Sequence, residues 1–336
     1  MHRIAGMTLQ QLPKVELHLH LDCGLSYAVV SKIDPSITRD AWQRDFVAPV
    51  KCNNLADFLT RAVKGYKLMQ TKEQLQLVVY HLFKQLAATN TLYAEIRFAP
   101  LQHLEKGLTP YQVVAFTEEA FVEAIKKSGV EARLILCTLR HYSEEQSMET
   151  VRLVEQFKES KVAGFDIAAD EAGFPINNHI SAFRYAKEKG IHCTAHAGEA
   201  KGAESVWETL QYFGPGRIGH GVRSVEDPKL VEHLRRHKIH LEICPSCNVQ
   251  INLYETYRDH PVDRLYRAGI SLSINTDAPT IVDITLTKEY EKLQEVFGWT
   301  ITDFYKCNVY ALEAAFIPSD LKNELLGKLK LGYNIY

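Results

Sequence analysis

The stretch Val15-Glu-Leu-His18-Leu-His20-Leu-Asp22 is a short apolar run that ends in polar residues. Seven later segments repeat this pattern, and each is followed by a helical segment. Continuous apolar runs are typical of strands in a parallel sheet buried on both faces. The eight predicted strands are Val15–Leu21, Leu92–Ala99, Ala132–Leu139, Val162–Ala168, His192–Ala197, Arg217–Gly221, Ile239–Cys244 and Ile270–Thr276.

Amphipathic segments lie between these runs and predict helices. Thr71-x-x-Gln74 predicts a capping box at the start of one of them. Eight strands that alternate with helices favour an α/β fold of the (β/α)8 class, the TIM barrel. An open doubly wound sheet is the alternative, but no glycine fingerprint follows the first strand. The helices with predicted limits are Thr71–Leu86, Pro110–Lys127, Ser147–Lys158 and Pro228–His237.

The 336 residues contain no linker, repeat or low-complexity segment, so residues 1–336 are predicted to form a single domain. A barrel of this class needs about 250 residues, and the surplus falls mainly between the first two strands. Residues 25–90 are too many for one crossover helix, so we expect extra helices there that cover the barrel mouth. Within this insertion Phe58, Leu59, Ala62 and Tyr66 share a helical face, where they either pack or cover a ligand.

Charge and cysteine content exclude several classes of protein. The net charge of −2 gives no reason to expect nucleic acid or an anionic membrane as partner. Residues 1–14 lack the apolar core of a signal peptide, and no run approaches the roughly 20 apolar residues of a membrane span. Seven scattered cysteines do not predict a disulfide framework, which favours a reducing, cytoplasmic location. The oligomeric state stays open.

The predicted strand ends carry the residues that could take part in catalysis or metal binding. In such a barrel the C-terminal ends of the strands form the active-site face. His18 and His20 alternate on one strand and therefore point to the same side. The fifth run ends in His196-Ala-Gly-Glu199, the sixth in Gly-His220-Gly and the eighth in Asn-Thr-Asp277.

Each of these motifs is weak by itself. An H-x-H pair or a lone histidine is usually an ordinary residue, Glu199 could simply favour a helix N-terminus, and Asp277 could cap a helix. Their occurrence at four strand ends of one barrel favours a common site. Three neutral imidazoles and one carboxylate suit Zn²⁺, with His18, His20, His196 and Asp277 as ligands.

Glu199 and His220 then remain as nearby proton carriers for general acid–base catalysis. Cys244-Pro-Ser-Cys247 is a competing metal motif, but a structural zinc site would need a second pair, which the chain lacks. We interpret Cys244 as a core residue at a strand end and Cys247 as a loop residue.

The ordered motifs resemble those of the adenosine deaminase family over nearly the whole chain, from Pro13 to Lys322. The resemblance implies a single Zn²⁺ per chain, bound by His18, His20, His196 and Asp277. It also implies that water activated by this ion attacks the purine carbon that carries the amino group. The matching segments are HLHLD (18–22), Ala168–Glu171, HAGE (196–199), GHG (219–221), EICP (242–245) and NTD (275–277).

The resemblance further implies roles for five side chains or backbone groups in binding and proton transfer. Glu199 would protonate ring N1, His220 would orient the water, and Asp277 could accept its proton. Asp22 matches the aspartate that contacts the ribose 5′-hydroxyl. The backbone at position 169 would approach ring N3.

Three positions depart from the family pattern, and they concern recognition rather than the metal. Ala278 replaces the second of two aspartates, whose carboxyl normally bonds ring N7. Ala169 replaces a glycine, so its methyl group could crowd the base. Cys23 replaces a glycine beside Asp22.

The sequence therefore predicts a zinc-dependent deaminase of adenosine and deoxyadenosine. The alternatives are a deaminase of adenine or a modified purine, another mononuclear amidohydrolase, and a barrel that binds purines without turnover. Relatives with two metal ions usually carry a bridging lysine at the fourth strand end, and the segment Ile167–Glu171 has none.

Overall fold

The structure is a computed structural model that describes residues 8–335. Its centre is an eight-stranded parallel sheet with the strands in sequence order. The eight predicted strands are confirmed, and their observed ends lie within two residues of the predicted ones. The strands are β1 (Lys14–His20), β2 (Thr91–Phe98), β3 (Glu131–Leu139), β4 (Val162–Ala168), β5 (His192–Ala197), β6 (Arg217–His220), β7 (His240–Ile243) and β8 (Leu272–Ile274).

Helices follow the strands around the outside of the sheet. Four of them lie between β1 and β2, so the expected helical insertion is present. They are α1 (Tyr27–Ile33), α2 (Arg39–Phe46), α3 (Leu55–Tyr66) and α4 (Lys72–Ala88). The others are α5 (Pro110–Ser128), α6 (Glu144–Gln156), α7 (Ile180–Glu188), α8 (Ala203–Tyr212), α9 (Pro228–His237), α10 (Pro245–Gln250), α11 (Val262–Arg267), α12 (Pro279–Val282), α13 (Leu286–Phe297), α14 (Ile301–Ala314) and α15 (Ser319–Gly332).

The two edge strands of the sheet meet and close the barrel. Leu19 of β1 forms a parallel bridge with Asp277, just beyond β8. The backbone N–H of His20 donates to the Asp277 carbonyl at 2.8 Å, and that of Asp277 donates to the His18 carbonyl at 3.0 Å. The prediction of a (β/α)8 barrel is therefore confirmed, and the closure itself brings Asp277 to the two histidines of β1.

The start of α4 differs in detail from the predicted capping box. The Thr71 side chain accepts from the Gln74 backbone N–H, which is one half of the motif. The Gln74 side chain does not return this bond to Thr71, because its Oε1 accepts from the Gln70 backbone N–H at 2.9 Å. The Gln70 N–H, one residue earlier, is therefore the donor to Gln74 Oε1, in place of the Thr71 N–H that a complete capping box would use.

Part of the stretch examined for a signal peptide, residues 1–7, lies outside the described residues. Within residues 8–335 no helix combines the length and apolar character needed to cross a bilayer. The assignment of residues 1–336 to a single domain stays a prediction.

Helix α3 lies against the turn that follows β1, and Gly65 is the point of closest approach. A Cβ atom at Gly65 would overlap the backbone carbonyl of Asp22. Backbone cannot move as a flexible side chain can, so only glycine allows this helix to approach. The position of α3 over the barrel mouth therefore depends on Gly65.

We predict that Gly65→Ala destabilises the protein by about 1–3 kcal/mol, because overpacking forces the backbone to shift. Gly327→Ala in α15 is the control, since a Cβ there meets nothing within 4 Å. Alanine is the better helix former, so this control should gain about 0.5–1 kcal/mol. Denaturant unfolding of both variants measures the difference, and equal effects would contradict the close approach of α3.

Candidate metal centre and substrate pocket

The ends of β1, β5, β6 and β8 bring five of the predicted site residues together. The ring centroid of His18 lies 4.5 Å from that of His196, 4.7 Å from that of His220 and 5.4 Å from that of His20. Asp277 Oδ1 lies 3.3 Å from His18 Nε2 and 3.4 Å from His20 Nε2. Residues separated by up to 259 positions in sequence thus share one small volume.

Four of these side chains fit a metal ion. One ligand atom each from His18, His20, His196 and Asp277 lies within 4.8 Å of the other three. The Nε2 atoms of His20 and His196 face each other at 3.2 Å. His18 Nε2 is buried without a hydrogen bond of suitable geometry, despite the nearby Asp277 oxygen. A buried imidazole nitrogen without a partner is the kind of atom that a cation would satisfy.

The electrostatics of this cluster also suit a cation. Burial lowers the pKa of His20 well below its usual value, and the neighbouring histidines act in the same direction. Burial opposes ionisation of Asp277, but its contact with His18 and the other imidazoles holds its pKa well below the usual range. A neutral imidazole and an ionised carboxylate are the forms that bind metals.

Two buried carboxylates orient the histidines from behind. Glu242 Oε2 lies 2.9 Å from His18 Nδ1, and Asp166 Oδ2 lies 3.1 Å from His196 Nδ1. Each carboxylate accepts the Nδ1 proton, so Nε2 keeps its lone pair and points to the cluster. Such partners fix the tautomer and orientation of a metal-binding imidazole.

Arg97 joins these two carboxylates. Its NH1 lies 2.7 Å from Asp166 Oδ2, and its NH2 lies 2.7 Å from Glu242 Oε2. Burial opposes the charge of Glu242, but Arg97 and Arg217 hold its pKa well below the usual range. None of these three residues was assigned a role from the sequence. The signal that could have identified them is the position of each as a charged residue inside a largely apolar strand.

Glu199 and His220 lie beside the cluster and share a neighbour. Glu199 Oε1 is 3.5 Å from His220 Nε2. Asn248 Nδ2 lies 3.4 Å from Glu199 Oε1 and 3.2 Å from His220 Nδ1. Since Nδ2 can only donate, His220 Nδ1 accepts and the ring proton sits on Nε2. Asn248 lies in α10, and its role beside Glu199 and His220 was not predicted from the sequence.

Burial raises the pKa of Glu199 well above its usual value, and the carboxylates of Asp277 and Glu171 add to the effect. Burial lowers the pKa of His220, with a further contribution from His18. These shifts favour the protonated form of Glu199 and the neutral form of His220. This pairing provides one buried acid and one neutral imidazole with a directed N–H.

Glu171 fixes the turn that carries Glu199. Its carboxylate accepts from the backbone N–H groups of Gly198 at 2.8 Å, Glu199 at 3.0 Å and Lys201 at 2.9 Å, and from the Ser205 hydroxyl at 2.5 Å. Gly198 adopts a φ of 66°, in the region that favours glycine. The turn after β5 is thus held at several points before any ligand arrives.

A cavity of about 310 Å³ lies above the cluster. Helix α3 forms one side through its apolar face, so the predicted face of the insertion does border the cavity. Asp22, Ala169 and Ala278 also line it, together with Cys23. Burial raises the pKa of Asp22 to about 6. The side chains from α3 include Phe58, Leu59, Ala62 and Tyr66.

The backbone at Ala169 is strained. Its φ of 80° lies in the left-handed region, which costs a residue with a Cβ atom about 1–2 kcal/mol. The family's usual glycine would avoid this cost, so the departure noted in the sequence has a conformational consequence. His220 and Asp277 have φ values of 59° and 61° and carry the same kind of strain. Such strain is common at functional sites.

The two cysteines of the C-x-x-C segment border the site. Cys244 is buried at the end of β7, as expected, whereas Cys247 lies in α10, so the loop prediction was wrong. Pro245 at the first helical position allows the helix to begin directly after the strand. Both thiols could join alternative ligand groups that include Asp277. Burial raises their pKa values well above the usual range, which makes them poor ligands.

We predict that Asp166→Asn lowers the affinity for a divalent metal about 10- to 100-fold, because His196 loses its orienting carboxylate. Metal titration against a competing chelator measures this affinity. Asp40→Asn, at an exposed position in α2, is the matched control. Unchanged metal affinity in Asp166→Asn would contradict the orienting role, whatever its effect on the stability of the apoprotein.

Comparison with known proteins agrees with this architecture. Residues 13–331 match the family model described as Adenosine deaminase. The chain is 34% identical to "Adenosine deaminase 1" of Streptomyces coelicolor, across 97% of this chain and 88% of that protein.

Two solved structures share the fold. An adenine deaminase from Arthrobacter aurescens superposes with a TM-score of 0.88 at 23% identity, covering 95% of this chain and 98% of that one. An amidohydrolase from Burkholderia ambifaria, with bound Zn, superposes with a TM-score of 0.89 at 21% identity, covering 99% of this chain and 95% of that one. The family match spans nearly every element described above, and this chain belongs to the adenosine deaminase family.

Proposed function

We propose that this protein hydrolyses the 6-amino group of adenosine and deoxyadenosine, giving inosine or deoxyinosine and ammonia. The observation that carries the proposal is the cluster of His18, His20, His196 and Asp277 beside the buried Glu199. This cluster lies beneath a cavity with largely apolar walls. Membership in the adenosine deaminase family supports the same reaction.

We further propose one Zn²⁺ per chain, held by His18, His20, His196 and Asp277. Three neutral imidazoles and one carboxylate match the donor preference of zinc. When bound, this ion would supply Lewis acidity and lower the pKa of water toward neutrality. The end of β4 offers no lysine to bridge a second ion, which favours a single metal.

Each catalytic side chain then has a defined task. Glu199 donates a proton to ring N1, which makes the adjacent carbon more electrophilic. His220, with its proton on Nε2, orients the attacking water, and Asp277 accepts a proton from it. The water oxygen forms a bond to the ring carbon, and the carbon–nitrogen bond breaks as the amino group takes the proton that Asp277 accepted and leaves as ammonia. The remaining hydroxyl proton returns to Glu199 as the 6-oxo group forms.

The cavity favours a neutral nucleoside over a nucleotide. Asp22 would accept a hydrogen bond from the ribose 5′-hydroxyl, and Ala169 and Ala278 would contact the base. No lysine or arginine occurs among the described residues that line the cavity. A 5′-phosphate would therefore meet the Asp22 carboxylate without a compensating positive charge, which electrostatics disfavours.

Other substrates remain alternatives to this proposal. Adenine itself would use the same catalytic groups but leave Asp22 without its hydroxyl partner. A modified purine would make different contacts with the side chains that line the cavity. A barrel that binds purines without turnover is disfavoured by the position of the buried Glu199 beside His220 and the ligand cluster. A cytoplasmic location and the absence of nucleic-acid or membrane partners stay predictions.

We expect Glu199→Gln to lower kcat for adenosine about 10²- to 10⁴-fold, because glutamine cannot donate the N1 proton. The variant should still contain one zinc ion per chain, measured by elemental analysis. Glu232→Gln, at an exposed position in α9, is the control and should retain activity. Full activity of Glu199→Gln would remove Glu199 from the proposed mechanism.

We also expect Asp22→Asn to raise KM for adenosine about tenfold, because the hydroxyl then donates to a neutral amide oxygen, which is a weaker acceptor than a carboxylate. The same substitution should leave KM for 5′-deoxyadenosine nearly unchanged, since that analogue lacks the hydroxyl. AMP should be a poor substrate of the wild-type protein. Deamination of AMP as fast as that of adenosine would show that Asp22 does not face the 5′-position.

A further inference from the structure

The two sides of the catalytic centre differ in chemistry. On one side lie Glu199 and His220, with Asn248 behind them. Across the barrel mouth, after β1 and β8, is an apolar wall, defined here as Cys23 and Ala278. Both residues belong to one buried hydrophobic cluster and line the cavity.

The apolar wall has little capacity to donate a hydrogen bond to a ligand. The Cys23 thiol donates to Asp22 Oδ1 at 3.6 Å. The backbone N–H of Ala278 already donates to the Thr276 carbonyl at 2.8 Å. At these two residues, a ligand therefore meets methyl, methylene and sulfur surface rather than a free N–H or O–H.

The ring of a 6-aminopurine is not symmetric about its reacting carbon. One ring neighbour of that carbon is N1, and the other is C5, which is bonded to N7. If N1 faces Glu199, the edge that contains C5 and N7 must face away from Glu199, toward the apolar wall. The N7 lone pair then loses its bond to water without gaining a donor from the wall, whereas a C–H at the same place loses nothing.

We propose that the apolar wall makes this enzyme bind 7-deazapurine nucleosides, in which a C–H replaces N7, about as tightly as the corresponding purine nucleosides, and deaminate them. This inference rests on the proposed deaminase function and specifies its substrate range. The bonds that change are the same: water oxygen adds to the amino-bearing carbon and ammonia leaves. The ligand class is a 6-amino-pyrrolopyrimidine nucleoside.

The backbone permits a direct test at Ala278. Its φ of −126° and ψ of 74° are open to any L-residue, and it occupies the N-cap position of α12. Asp and Asn are favoured at N-caps, so either residue is compatible with the local conformation. Asn supplies an N–H donor without adding a second carboxylate beside Asp277, and it therefore serves as the second variant if Asp prevents folding.

The experiment compares kcat/KM for adenosine and 7-deazaadenosine in the zinc-loaded wild type and in Ala278→Asp and Ala278→Asn. In the wild type we expect the KM values of the two nucleosides, or the Ki of 7-deazaadenosine as a competitor, to agree within about tenfold, since at most one hydrogen bond separates the bound ligands. Both variants should shift the kcat/KM ratio about tenfold toward adenosine relative to the wild type, because the Asn amide N–H or a protonated Asp carboxyl can donate to N7 and not to C–H. Ala41→Asp, in α2 and outside the cavity lining, should leave the ratio unchanged.

The outcomes separate this inference from the proposed function. Turnover of adenosine by the wild type, with a KM or Ki for 7-deazaadenosine more than 100-fold above the KM for adenosine, would overturn the inference alone. An unchanged ratio in both Ala278 variants would do the same. If the wild type neither binds nor converts either nucleoside, the proposed function fails, and the inference fails with it.

Discussion

The buried ion pairs of Arg97 with Asp166 and Glu242 are the constraint on which the metal centre depends. All three side chains are fully buried inside the barrel, where a charge without a partner is strongly unfavourable. Removing one partner of such a network typically costs about 3–5 kcal/mol, because the remaining charge stays buried. The network therefore fixes β2, β4 and β7 relative to one another, and with them the carboxylates that hold His18 and His196.

This network and the closure of the barrel hold the candidate metal ligands in position. Asp166 and Glu242 set the tautomers of two imidazoles, while the backbone bridge between Leu19 and Asp277 places the carboxylate ligand. Three separate pairings thus converge on one point before a metal binds. Preorganisation of this kind lowers the cost of ordering ligands when the ion arrives.

The groups proposed for catalysis and those proposed for substrate recognition lie in different parts of the molecule. The proposed catalytic groups lie at strand ends, on positions fixed by the barrel and by the Glu171 carboxylate. The proposed recognition surfaces come from α3, from the turn after β1 and from Ala278. A change in the recognition surfaces can alter the accepted substrate while the proton-transfer groups stay in place, which is why Ala169, Ala278 and Cys23 are compatible with an intact ligand cluster.

The sequence by itself determined the eight strands, the helical insertion and the residues at the strand ends. These features are local: an apolar run predicts a buried strand, and alternation places His18 and His20 on one face. Only the tertiary structure decided that Arg97 joins Asp166 to Glu242, that Asn248 serves both Glu199 and His220, and that Cys247 lies in a helix. Those pairings connect residues far apart in sequence, and they depend on how the strands are staggered as the barrel closes, which no local pattern encodes.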